Sequence, residues 1–254
     1  MVLSMRLTTR LVLALLCFMG VAQAEPLKVC AVVQLYQALH ALQKHSPIDY
    51  SVHFATANEL YAYIANVHQE PCSVVLTNDE RLPISLIRSQ KAQGDSLKAF
   101  TRAPLVIFSA DTKLFHQHTL KTALEQHAIK SLALAAARLT PVGFAANQVV
   151  RRSELNFSYL KDKNYISDQE YQVYSMVASG NVHAGIVSKP LIVADPVSYW
   201  DIPRSWHSDI QYYVLLLNAS KDNNSAHEFM RYLISNSKAQ QILQEQGFAP
   251  LTPD

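Results

Sequence analysis

Three short stretches have the residue types to bind an anion without a charged side chain. Thr56-Ala57-Asn58-Glu59 and Ser167-Asp168-Gln169-Glu170 each place a hydroxyl three residues before a glutamate, the pattern of a capping box that opens a helix. Thr140-Pro141-Val142-Gly143 puts Thr at the cap and Pro at the first helical position. A helix start offers free N–H groups and the positive end of its dipole to an anion. Thr56 and Thr140 follow, directly or nearly, the ends of predicted strands, and ligands of open α/β sheets bind at that edge. A plain structural cap is the competing reading for each.

Enzyme signatures are missing. From Glu25 onward the chain has five glycines, Gly94, Gly143, Gly180, Gly185 and Gly247. They form no phosphate loop, no G-x-G-x-x-G and no nucleophile elbow. His116 and His118 flank Gln117 in a polar stretch with no cysteine or carboxylate beside them, which reads as an exposed face and not a metal site. Asp79 and Glu80 are adjacent and point apart, so they read as a solvated loop and not an acid/base pair. No catalytic residue, metal or cofactor is expected.

Helices and strands must position the three starts. Apolar, β-branched runs recur at 28–33, 50–55, 72–77, 104–109, 131–136, 184–188 and 212–218. Segments of helical spacing lie between most of them. Alternation of this kind predicts an α/β fold with mainly parallel sheets covered on both faces. Residues 91–103, "KAQGDSLKAFTRA", are polar and read as a loop into a second lobe.

The first residues suggest a destination. Arg6 and Arg10 precede the apolar run Leu11 to Val21, and Ala22-Gln23-Ala24 ends in small residues, the three parts of a secretory signal peptide. Cleavage after Ala24 would leave a soluble, extracytoplasmic chain of about 230 residues, enough for two small lobes. The whole chain has 22 lysines and arginines against 20 acids, and loss of the two arginines balances them. Neutrality argues against a nucleic-acid partner but not against a small anion held by amides. Cys30 and Cys72 remain, an even count that permits one disulfide in an oxidising compartment; two buried thiols are the alternative.

The ending "KAQQILQEQGFAPL", with "RAPLVIFSA" (102–110), "LTPVGFAANQVV" (139–150) and "SMVASGNVHAGIV" (175–187), resembles in the same order the type II periplasmic solute-binding proteins, above all the molybdate-binding proteins of ABC importers. The resemblance covers nearly the whole chain after Ala24 and is strongest from Arg102 onward. It implies a two-lobe fold with a hinged cleft, lobe I being 25–105 and 215–254 and lobe II 106–214. Gly247 would stop the last helix in a left-handed conformation, and Phe248 would pack on lobe I.

The resemblance further implies that a small oxyanion of the molybdate or tungstate kind is held between the lobes of a monomer and delivered to an ABC permease. A divergent module with another ligand or a sensor role is the alternative. Carried over position by position, the ligand set is Gln34, Thr56, Asn58, Val142, Gly143, Glu170 and Ser188. Gln34 stands where the family has a serine, and Ser188 where it has a tyrosine. Glu59 and Glu170 would bring negative charge to the site unless they turn back to their own caps. In a 2-1-3 strand order, Cys30 and Cys72 would lie on neighbouring strands.

Overall fold

The computed structural model describes residues 25–66 and 72–252. Residues 1–24, read above as a signal peptide, lie outside the described residues. Ten strands form two sheets of five. The first has the order β2-β1-β3-β10-β4 and contains β1 (Leu27–Val32), β2 (Tyr50–Ala55), β3 (Val74–Thr77), β4 (Lys98–Ala103) and β10 (Ile210–Leu216). The second has the order β7-β6-β8-β5-β9 and contains β5 (Leu105–Ser109), β6 (Leu132–Ala135), β7 (Asn164–Ser167), β8 (Ala184–Ser188) and β9 (Ser198–Asp201). Nine α-helices connect them: α1 (Tyr36–Gln43), α2 (Ala57–Asn66), α3 (Arg81–Arg88), α4 (Leu114–Gln117), α5 (Leu120–Glu125), α6 (Pro141–Val150), α7 (Glu170–Ala178), α8 (Asn224–Ser235) and α9 (Ser237–Glu245) among the described residues.

Each sheet is a parallel trio, β2-β1-β3 or β7-β6-β8, extended by two antiparallel strands. The expected mainly parallel sheets are therefore mixed. The parallel trios come from strand–helix–strand crossovers. The antiparallel strands arise because the chain must leave lobe I and come back. All residues of β3, β5, β6 and β8 are buried, which accounts for their unbroken apolar runs.

Two stretches differ from their sequence reading. Residues 98–103, read as a loop, form edge strand β4, paired with β10 and with the chain terminus. Strand β10 pairs with β3 and β4 from Ile210 onward, so the chain is back in the first sheet there, ahead of the expected 214/215 boundary. The outward passage is the single residue Pro104, between β4 and β5. The return segment between β9 and β10 is clipped by Arg204, whose Nε donates to Asp209 Oδ1 at 2.8 Å.

Cys30 in β1 and Cys72, just before β3, are joined by a disulfide with a Cα–Cα distance of 5.8 Å. The pairing of β1 with β3 (Cys30 opposite Val75) brings them together, as the 2-1-3 order requires.

The C-terminal stop also follows its residues. Gly247 has φ +86°; its N–H donates to Gln244 O at 2.9 Å and the Phe248 N–H to Leu243 O at 3.0 Å, the two bonds of a Schellman motif. Phe248 is buried and meets the Tyr212 ring edge-on at 5.1 Å. Ala249 exchanges backbone bonds with Arg102 at 3.1 and 2.8 Å. The tail is thereby tied to lobe I, beside the outward passage.

Candidate functional site

The first turns after β1, β2 and β3 face the starts of α6 and α7 across a narrow cleft. Its lining takes Val32, Val33 and Gln34 from the turn after β1, Thr56 to Asn58 from the start of α2, Asn78 and Asp79 from the turn after β3, 139–142 from the start of α6, and Gln169 and Glu170 from the start of α7. The cavity is small, about 40 Å³. Space on that scale holds a few waters or one small ion.

The structure brings five of the seven expected residues to this lining: Gln34, Thr56, Asn58, Val142 and Glu170. The Thr56 box forms. The Thr56 N–H and hydroxyl both donate to Glu59 Oε2, at 2.9 and 2.7 Å. These bonds hold the Glu59 carboxyl below the usual carboxylate range, the Thr56 amide contributing most. Glu59 is thus turned back onto its own cap. Val142 occupies the second position of α6, where the helix supplies no acceptor for the N–H.

Gly143 has a different role. Its N–H donates to the Thr140 hydroxyl at 2.9 Å, so the cap already uses it. A Cβ at Gly143 would lie 2.5 Å from the carbonyl oxygens of Ala135 and Ala136. The glycine lets α6 seat directly on the end of β6, which is what aims the helix start at the cleft.

The second capping box does not form. Helix α7 starts at Glu170, its cap residue is Gln169, and no side chain caps it. Ser167 Oγ donates instead to Gln172 Oε1. Released from that box, Glu170 turns inward and is 1% exposed. Its Oε1 accepts from both the amide and the hydroxyl of Ser188, each at 2.5 Å. Its Oε2 has only the Gln34 Nε2 at 3.5 Å. Ser188, buried at the end of β8, therefore serves the carboxylate and does not line the cleft. Burial pushes the Glu170 carboxyl above its ordinary range, and the bonds from Ser188 and Gln34 oppose this.

Sequence reasoning missed the lobe I partners. Asp79 is buried, not solvated: Arg81 Nε donates to its two oxygens at 2.9 and 3.1 Å. Arg81 also reaches lobe II, where Nη1 donates to Arg138 O at 3.2 Å and Nη2 to Leu139 O at 2.5 Å. This guanidinium bridges the lobes at the edge of the cleft. Tyr212 of β10 is fully buried behind the site. Its hydroxyl accepts from Asn78 Nδ2 at 3.4 Å, and burial, then the nearby Glu170 charge, holds it well above its ordinary titration range. The Asp-x-Arg spacing at 79–81 was the signal available for the first pair; nothing local marks Tyr212. Among the described residues no three His, Cys, Asp or Glu side chains come together to hold a metal.

Known proteins share this architecture. The model of the family described as bacterial extracellular solute-binding protein matches residues 31–249. The molybdate-binding protein ModA of Azotobacter vinelandii is 26% identical over 199 residues, 77% of each chain. The structure of the Azotobacter vinelandii periplasmic molybdate-binding protein superposes with a TM-score of 0.74 at 22% identity, covering 90% of this chain and 100% of that one. The sulfate-binding protein SubI of Mycobacterium tuberculosis reaches 0.65 at 12% identity, covering 90% and 88%. The match spans most of the chain, and with the two-lobe fold just described it makes this chain a member of the bacterial extracellular solute-binding proteins: a binding protein and not an enzyme.

Proposed function

We propose that the chain is a periplasmic receptor that closes on one small oxyanion between its lobes and delivers it to an ABC importer. The observation that carries this reading is the convergence of the α6 and α7 starts on a cavity of about 40 Å³ between the two sheets. Oriented amides at helix starts favour an anion, and the volume suits a tetrahedral one. Gln34 and Asn58 would supply side-chain contacts from lobe I, where the Thr56 hydroxyl already gives its proton to Glu59, and the Val142 and Glu170 amides would supply contacts from lobe II. Molybdate, named for the relative from Azotobacter vinelandii, is the reference ligand. The receptor is expected to act as a monomer.

A second reading, the same fold with a changed ligand or a sensor role, is favoured by one observation: a carboxylate, Glu170, lies among the lining residues. A thermal-shift panel of molybdate, tungstate, sulfate and phosphate on the mature protein separates the two. Raised melting temperature with an oxyanion supports the receptor. No shift with any of the four overturns it.

A further inference from the structure

Glu170 is a lining residue whose charge opposes the proposed ligand. Its Oε1 is occupied by the Ser188 amide and hydroxyl at 2.5 Å. Its Oε2 has one long contact, 3.5 Å, to Gln34, itself a lining side chain. An anion lodged at the start of α7 in so small a cavity lies beside this carboxylate, whose Oε2 is reached by the lining Gln34 side chain. Two anionic oxygens in contact repel, and burial sharpens the repulsion. One proton between them converts it to a charge-assisted O–H···O hydrogen bond.

No free cation among the described residues takes that role, because Arg81 at the cleft's edge is already engaged by Asp79 and by the Leu139 carbonyl. Among the described lining residues there is no Lys, Arg or His. From the turn after β3, Asp79 faces the cleft and is paired with Arg81. From β10 comes Tyr212, held in its neutral form. Strands β5, β6 and β8, which pack under α7, contain no ionisable residue, and β7 contributes only the exposed Tyr165. Asp168 beside the helix start is exposed, and Lys189 after Ser188 donates to Asp201 at 2.9 Å. The Glu170 carboxyl is the group placed to exchange a proton with the ligand.

We propose that oxyanion capture in this cleft is coupled to one proton through Glu170, which the carboxylate and the bound anion share. A proton-free anion such as molybdate takes that proton from solvent, whereas an anion that already bears one carries it in. Glu170 is then a specificity-determining residue that sets which oxyanions bind at a given pH. The inference rests on the reading of the cleft as an anion site.

Calorimetric titration of the mature protein with sodium molybdate tests both, run in two buffers of different ionisation enthalpy from about pH 5.5 to about pH 8. Uptake of about one proton per molybdate is expected once Glu170 is ionised in the free protein, with affinity falling about tenfold per pH unit. In Glu170→Gln the uptake disappears, the affinity no longer depends on pH, and binding at the upper pH is tighter than in wild type. Binding by the variant with none by wild type at any pH would overturn the inference, because Glu170 would then exclude the anion instead of sharing a proton with it. Wild-type binding that is flat with pH and takes up no proton overturns it while leaving the anion site standing. Should neither protein bind molybdate at any pH, with both folded by circular dichroism, the anion site fails and the inference with it. The wild-type proton count needs no variant, so the test survives a Gln variant that does not fold.

Discussion

Gly143→Ala puts one methyl group where the fold has no room. The added Cβ would sit 2.5 Å from two backbone oxygens, those of Ala135 and Ala136, whereas unstrained carbon contacts lie near 3.5 Å. Backbone oxygens at the end of a buried strand cannot swing aside as a side-chain tip can. The start of α6 must lift by several tenths of an ångström, pulling against the Thr140 cap. Overpacking of this kind costs about 1–3 kcal/mol, and a weakened cap adds up to about 1 kcal/mol. For a chain of this size each kcal/mol lowers the melting temperature by about 2–4 °C. A drop of about 2–16 °C is therefore expected by differential scanning calorimetry. Oxyanion affinity should fall with it, because the Val142 amide moves. Gly94→Ala is the control, since its Cβ would meet Ile87 at an ordinary 3.5 Å. If the two variants melt within a degree or so of each other, the close-approach account of Gly143 is wrong.

Two further outcomes can be checked directly. The Cys30–Cys72 bridge closes a loop of 42 residues, which the chain-entropy model makes worth about 4 kcal/mol; Cys30→Ser/Cys72→Ser should unfold at clearly lower urea, and free thiols at these positions in the periplasmically expressed protein would contradict the bridge. The Glu170 carboxyl is raised in the folded state, so folding holds its proton more tightly than the unfolded chain does. Stability is then lost as pH rises from the unfolded value through the folded one. The advantage of Glu170→Gln over wild type should grow from about pH 4 to about pH 8 in urea titrations, and a constant difference would refute the assigned direction.

Local chemistry was legible in the chain; the pairing of distant residues was not. The Thr140–Pro141 start of α6, the Thr56–Glu59 box and the Gly247 stop could be read directly because their bonds reach only three to five residues along the backbone. Buried strands announced themselves by continuous apolar runs, and the cysteine pairing followed once strand order was given. Edge strands β4, β7 and β9 were missed because they are polar or partly exposed, and backbone pairing to a neighbour, not their own side chains, makes them strands.

Glu170 shows where the sequence stopped. Ser167 and Glu170 have the spacing of a capping box, yet the carboxylate bonds to Ser188, 18 positions away, and Ser167 bonds to Gln172. A local cap offers bonds that still compete with water; the end of β8 offers an amide and a hydroxyl already removed from it, where charged hydrogen bonds are stronger. The same holds for Asp79, buried and paired with Arg81, which spans the lobes, and for Tyr212, brought behind the cleft by the return strand. The residues by themselves determined the buried strands, the strand-ending helix starts and the stop at Gly247, and the resemblance added the two lobes and the tail that ties them. Which polar groups face each other across the cleft was decided by the tertiary structure, because burial sets the strength of those contacts and burial is a property of the assembled lobes.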